Sequence, residues 1–468
     1  MKNRRTIITA LLAFSLLCLS PVHAVGAEEA QLKTKIKNTV KASGEYENWE
    51  GVSNVSQFIG SDGEFWFAYD GKENVTVVST RDGKVKDKLK LPKQHSTFGA
   101  VCSDSYGNFY VVTGEENKGD NTDQETVFIS KYDQNGNLIN TIGDSGNSSL
   151  AYYYDPSFRT KKPFDAGNCD MAVNGGYLAV NYARSMYNGH QSNSVWVIDT
   201  ESMNTISVPD QYTVSYEEDG TRFYQSSSGI YNSHSFGQRS VKYNDGFLFM
   251  SEGDAYDRAF TLSQWDLKKN TISENNIFHF YVKPGASGDM SVVNNNFAHI
   301  GDIAVLSDGK AAFTATSVPS MTSNADNETE QLFLQIFNPL GNLKSAEGYV
   351  TSGERSGTTG IGGTQEATDY GVKWLTEGDK FLLRYPQMVS TGDKLVILYE
   401  KYSRKKKLKG VYYMVLDSSG NVISESRKFK KSASLNPCEP PVFTNGCVYW
   451  VANKANKKGK MFVYKLKI

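Results

Sequence analysis

Three of the six histidines stand just before short apolar runs: His95 in "QHSTFG", His234 in "HSFGQR" and His299 in "AHIGD". Imidazoles titrate near neutral pH and move protons, and Tyr385 in "RYPQ" offers a phenol for the same task. Arg239, close behind His234, and Arg258 in "EGDAYDR" supply guanidinium groups that suit carboxylates and other anions. Brought together, these types would make a lyase-like site: Arg239 neutralises a uronate carboxylate while His234 or Tyr385 takes the adjacent proton. Polar residues of the binding kind accompany them, namely Asn168 and Asp170 in "GNCD", Gln238, Tyr256, Asp302, Gln387, and Glu439 in "CEPP". The same types serve equally well as hydrogen-bonded parts of a scaffold, and "GDAYDR" as a turn in which Asp254 or Asp257 holds Arg258.

Other chemistry is thinly represented. The chain has no GxSxG, HExxH, Walker loop or complete EF-hand loop. Asp120, Asp123 and Glu125, and again Asp326, Glu328 and Glu330, offer oxygen ligands for Ca²⁺, yet a calcium site needs six to eight converging oxygens. No cofactor is implied beyond that possible Ca²⁺. The glycine run "SGERSGTTGIGGTQ" lacks the strand-to-helix setting of a phosphate cradle and reads as a loop anchored by Trp374.

What must position these residues is a repeated element. Seven stretches combine an extended segment, a polar glycine turn and an apolar strand, from "FIGSDGEFWFAYD" at Phe58 through "RSVKYNDGFLFMSEG" at Arg239 to "PPVFTNGCVYWVAN" at Pro440. Each is followed by another apolar strand, mostly with a turn of its own, as in "TVFISKYDQNGNLI". Twelve per cent aromatic residues, 41 glycines and only 12 prolines suit one large β-rich fold. Seven four-stranded units in series predict an all-β, seven-bladed propeller over residues 28–468, in which radial packing hides the strand edges. The last unit stops after three strands, and "LKTKIKNTVK", Leu32–Lys41, is expected to supply the fourth. The blades resemble NHL and related propeller repeats, most plainly in "DSYGNFYV" and "ISKYDQNGNLINTIG". That resemblance implies architecture and carries no catalytic residue with it.

In such a fold the tight turns fall on one face and the longer loops on the other, which is where binding residues collect. The long-loop face should hold the starts of the inner strands, and so the histidines, Arg239 and Tyr385. It also receives "SRKKKLK", with Lys405, Lys406 and Lys407, and "NKANKKGK", with Lys457 and Lys458. Whole-chain net charge is −1, but from Lys401 onward sixteen Lys and Arg face three acidic residues. A continuous positive surface attracts polyanions with salt-sensitive strength.

The start of the chain places that surface outside the cytoplasm. "MKNRR", an apolar run and the small residues of "PVHAVGA" read as a signal peptide over residues 1–27, cut after Ala24 or Ala27. No later segment is long and apolar enough to span a membrane. Cys102, Cys169, Cys438 and Cys447 lack zinc-like spacing; disulfide, free and mixed states are all open, with free buried thiols favoured by a core that needs no staple. These features predict a secreted or cell-wall-associated protein that binds an acidic polysaccharide, a cell-wall polymer or a protein partner, not nucleic acid. A secreted carbohydrate-active enzyme such as a polysaccharide lyase is the alternative.

Overall fold

A computed structural model describes residues 51–147, 156–206, 230, 232–253, 259–278, 298–317, 330–339, 371–378, 380–429, 433–453 and 459–468. It also gives the backbone of His279 and of the strands His23–Glu29, Thr39–Lys41, Gln211–Glu218, Thr221–Ser227, Tyr349–Glu354 and Glu366–Tyr370. The chain forms seven antiparallel blades in a ring. Their inner strands are Val55–Ile59, Thr97–Ser103, Cys169–Asn174, Ser235–Tyr243, Ala298–Val305, Leu382–Ser390 and Val442–Thr444. Each inner strand touches the next, and Val442–Thr444 touches Val55–Ile59, so blade seven meets blade one.

The turns explain the repeat motif. In "DSYGN", the Asp104 carboxylate accepts the backbone N–H groups of Tyr106 and Asn108, each at 2.9 Å, and the Asn108 side-chain amide at 2.8 Å. Gly107 stands at φ 85°, in the left-handed region that glycine occupies without steric cost. "DQNGN" at Asp133 and "DSSGN" at Asp417 repeat these three contacts. A five-residue sequence therefore closes a hairpin by itself.

Period-two alternation then sends neighbouring side chains to opposite faces of a blade. In Gly246–Gly253, Leu248 and Met250 pack toward blade five, against Ile300, Ile303 and Phe313. Phe247 and Phe249 pack the other way, against Ala172, Ala179 and Val197 of blade three. All four are fully buried, and Val241 is partly so. Phe249→Ala should cost about 3–5 kcal/mol in urea unfolding; a cost under about 1 kcal/mol would show that the blades do not close around this ring.

Three elements differ from expectation. The strand paired with Met461–Lys467 in blade seven is His23–Glu29, which contains both expected cleavage points. The segment from Leu32 does not take that place: its end, Thr39–Lys41, pairs with Gly51–Ser53, and residues 30–38 lie outside the described ones. Two of the expected long loops are strand extensions instead. Tyr177–Met186 and Gln191–Asp199 leave a short turn that carries His190, and Lys394–Tyr402 and Leu408–Asp417 leave Ser403–Lys407. Trp374 does serve as an anchor, edge-on to Phe333 at 5.4 Å and to Phe278 at 6.4 Å.

Candidate functional site at the channel and its long-loop mouth

Polar inner-strand residues are used between blades. Ser56 Oγ accepts the Val101 N–H at 2.9 Å, and Asp170 accepts that of Ser240 at 2.5 Å. Asp302 accepts from Met388 at 2.8 Å, and Glu439 from Gln57 at 3.1 Å. In each case an acceptor on one blade takes an inner-strand N–H of the next, at the junctions one–two, three–four, five–six and seven–one. Asn168 adds a second latch at three–four, accepting the Gln238 N–H at 2.7 Å and donating to the Gln238 carbonyl at 2.9 Å. Gln238 itself is fully buried, tied to Ser235 and Ser251.

Arg239, expected at the channel mouth, is inside, with 1% of its surface exposed. Its Nε donates to Asp302 of blade five at 2.8 Å, and its Nη1 to the Gln238 carbonyl at 2.8 Å. Its Nη2 donates to the Pro437 carbonyl at 2.7 Å. Blades four and seven are not neighbours, so this last contact spans the channel. The reason is the connection from blade six to blade seven: residues 433–439 are all buried. Leu435 N–H donates to Glu400 of blade six at 2.7 Å, and the Asn436 amide to Ser53, ahead of blade one, at 3.1 Å. Gln387 donates to the carbonyls of Asn436 and, at 2.9 Å, Glu439. The chain thus fills its own channel on the long-loop side. Asn168, Asp170, Gln238, Arg239 and Gln387 therefore all bond to other parts of the protein.

One guanidinium serves three buried carboxylates here. Burial pushes Asp170 up to about 7 against the pull of Arg239, and it raises Asp302 against the same pull. Glu439 is driven well above the usual carboxylate range by burial and by the charge of Asp170. Asp170 and Glu439 also line a cavity of about 110 Å³ with Cys102 and Cys169. Cys102, Cys169, Cys438 and Cys447 are buried and form no disulfide among the described residues, and burial raises the thiol pKa of Cys102 and Cys169.

The residues left at the mouth form separate groups. His95 stacks on Phe128 with centroids 3.4 Å apart, and its Nδ1 lies 2.9 Å from Glu115, an ion-pair distance without hydrogen-bond direction. Glu115 lines a polar cleft of about 630 Å³ with Glu116, Lys118, Lys162, Phe164 and Asp165. His299 Nε2 is 3.4 Å from Glu330, which Arg384 also binds. Burial raises the Glu330 pKa against that pairing. Also on blade six, Tyr402 donates to Glu400, whose carboxyl burial pushes up to about 7. Tyr385, at φ 54°, sets its ring edge-on to Tyr402 at 6.4 Å. His234, at φ 52°, meets His190.

Two of the suggested Ca²⁺ ligands are otherwise engaged, Asp120 by Arg159 and Glu330 by Arg384. Among the described residues no three His, Cys, Asp or Glu side chains are grouped to hold a metal. Tyr256, Arg258, Asp326, Glu328, Lys457 and Lys458 lie outside the described residues. Sequence reasoning missed Glu400, Tyr402, Arg384 and His190. Only Glu400 left a signal, as the one acid within the apolar strand "KLVILYEKY".

No family model matches the chain, and no curated protein matches it in sequence. Solved structures similar to it include an α-L-arabinanase of Cellvibrio cellulosa complexed with arabinohexaose, at 12% identity and a TM-score of 0.30 over 69% of this chain and 93% of that one. A Trypanosoma rangeli sialidase is similar at 12% and 0.38, over 84% of this chain and 59% of its own. The Dos1 propeller is similar at 8% and 0.40, over 95% of both. Similarity at this level transfers neither residues nor activity. The seven-bladed propeller stands on the strand pairing itself.

The basic end of blade six completes the mouth. The turn between Lys394–Tyr402 and Leu408–Asp417 exposes Arg404, Lys405, Lys406 and Lys407 in succession. Its shape is held by the backbone, Lys406 N–H to the Ser403 carbonyl at 2.7 Å and Ser403 N–H to the Lys407 carbonyl at 2.9 Å. None of the four has an ion-pair partner among the described residues. Exposed Lys409, Arg427 and Lys428 come from the same end of the blade.

Among the described residues no helix is long and apolar enough to cross a membrane.

Proposed function

We propose that this is a secreted propeller that binds an extracellular polyanion, of the acidic-polysaccharide or cell-wall-polymer class, through the basic end of blade six. The turn of four exposed cations carries the reading: like charges held side by side, without ion-pair partners among the described residues, attract negative charge from outside. Lys457 and Lys458, outside the described residues, add two further cations to the sequence that follows. A triple variant, Lys405→Gln with Lys406→Gln and Lys407→Gln, should keep the parent's melting temperature. It should bind an anionic polysaccharide about tenfold more weakly at low salt. Equal retention of parent and variant on that polymer would end the proposal.

A lyase built on Arg239 loses its support, because the guanidinium is buried and bonded to Asp302 and Pro437. A carbohydrate-active reading now rests on the Tyr402–Glu400 pair, whose carboxyl is poised near neutral pH at the foot of the basic turn. Appearance of unsaturated or shortened products from the bound polymer, lost in Tyr402→Phe, would support it over simple binding. A polymer recovered unchanged would leave binding alone.

A further inference from the structure

His190 and His234 come from different blades and meet nitrogen to nitrogen. His190 Nδ1 and His234 Nε2 are 2.5 Å apart, and the rings stack at 26° with centroids 4.7 Å apart. A hydrogen bond at that distance sets an N–H of one ring against a lone pair of the other. Both backbones are fixed independently of the rings. His234 N–H donates to the Gln191 carbonyl at 2.7 Å, and His190 N–H to the Asn188 side chain at 2.9 Å. His234 also holds φ 52°, a costly conformation for a histidine. The pair sits on the long-loop side, His190 exposed and His234 half-buried.

We propose that the His190–His234 pair is a binding site for a divalent transition-metal ion of the zinc, copper or nickel class. Neutral imidazole is the commonest ligand for these ions and binds through either nitrogen. The ion takes the place of the hydrogen-bonded proton, with His190 ligating through Nδ1 and His234 through Nε2. Tetrahedral bonds of about 2.0–2.1 Å set the two nitrogens roughly 3.3 Å apart, so the rings must part by less than about 1 Å. Side-chain rotation at the rim suffices for that while the two backbones stay in place. No third imidazole, thiol or carboxylate joins the pair among the described residues. Water or an outside ligand completes the shell, which makes the site exchangeable and weaker than a four-ligand structural zinc. Oxygen-seeking Ca²⁺ and Mg²⁺ have no reason to bind there.

The test is calorimetric titration of the full chain with Zn²⁺ and with Ni²⁺, beside His190→Asn and His234→Asn. Asparagine tolerates the left-handed conformation at 234, so the second variant keeps its backbone. The expected result is one equivalent bound by the parent and at least tenfold weaker binding by each variant. Binding should also fall in acid, because both ligands must give up their protons. Absence of saturable binding by the parent, or parent-like affinity in either variant, overturns the proposal. A polymer-binding defect in these variants is not expected, so the outcome is independent of the basic turn.

Discussion

Arg239→Met should destabilise the protein by on the order of 3–5 kcal/mol, the cost of leaving a buried carboxylate without its partner. The guanidinium is the only cation bonded to Asp302 in the described structure, and it also ties blade four to the chain that fills the channel. Its removal strands the Asp302 carboxylate and the Pro437 carbonyl together. Arg239→Lys keeps the charge but not the fork of donors and should recover only part of the loss. Pairing Arg239→Met with Asp302→Asn should recover more than the two single costs predict, since the unpaired charge is gone. Urea unfolding of the parent, the three single variants and the double variant is the measurement. A single Arg239→Met within about 1 kcal/mol of the parent would mean that the charge pair does not hold the ring.

The second large effect is a stability that falls as pH rises. Asp170 and Glu400 have native pKa values pushed up to about 7, from ordinary values of 3.8 and 4.5, chiefly by burial. Asp302, Glu330 and Glu439 are raised in the same direction. A group whose native pKa is raised holds its proton in the folded state after the unfolded chain has lost it. Between about pH 4.5 and 7 the folded state binds more protons, so stability declines across that window and stays low above it. Asp170 and Glu400 each contribute on the order of 3 kcal/mol to the fall. Exposed carboxylates act oppositely and only in stronger acid: Asp82, Asp133 and Asp417 are lowered by their hydrogen bonds and lose them below about pH 4. Melting temperature should therefore be highest near pH 5 and several degrees lower at pH 8. Glu400→Gln should flatten part of the slope, because the amide mimics the protonated acid. A melting temperature that is level or rising from pH 5 to 8 would rule out proton storage in the core.

Local chemistry made the fold readable. The "DSYGN", "DQNGN" and "DSSGN" turns close themselves within five residues, and the strands beside them alternate regularly. Seven inner hairpins could thus be placed, and burial of Phe247, Phe249 and Met250 followed from the same period. Exposure of Lys405, Lys406 and Lys407 was equally legible, because four successive cations in a turn have nowhere to be buried.

The candidate site was less legible, because its contacts join residues far apart in the chain. His234 meets His190 across 44 positions, and Arg239 reaches Pro437 across 198. Alternation says that Arg239 and Asp170 point off an inner strand; it does not say whether water or another blade stands opposite. The buried connection at 433–439 settles that, by filling the channel with carbonyls and an acid that the inner strands must satisfy. The strand beside Met461–Lys467 was misplaced for a related reason. A short alternating segment such as Leu32–Lys41 can pair with any open edge, and only the assembled ring shows which edge is within reach. The sequence by itself determined the blades, their turns and the positive charge of the last two, because these are properties of adjacent residues. Tertiary structure alone decided which polar groups are latches and which meet solvent, because that depends on what the closed ring brings opposite each of them.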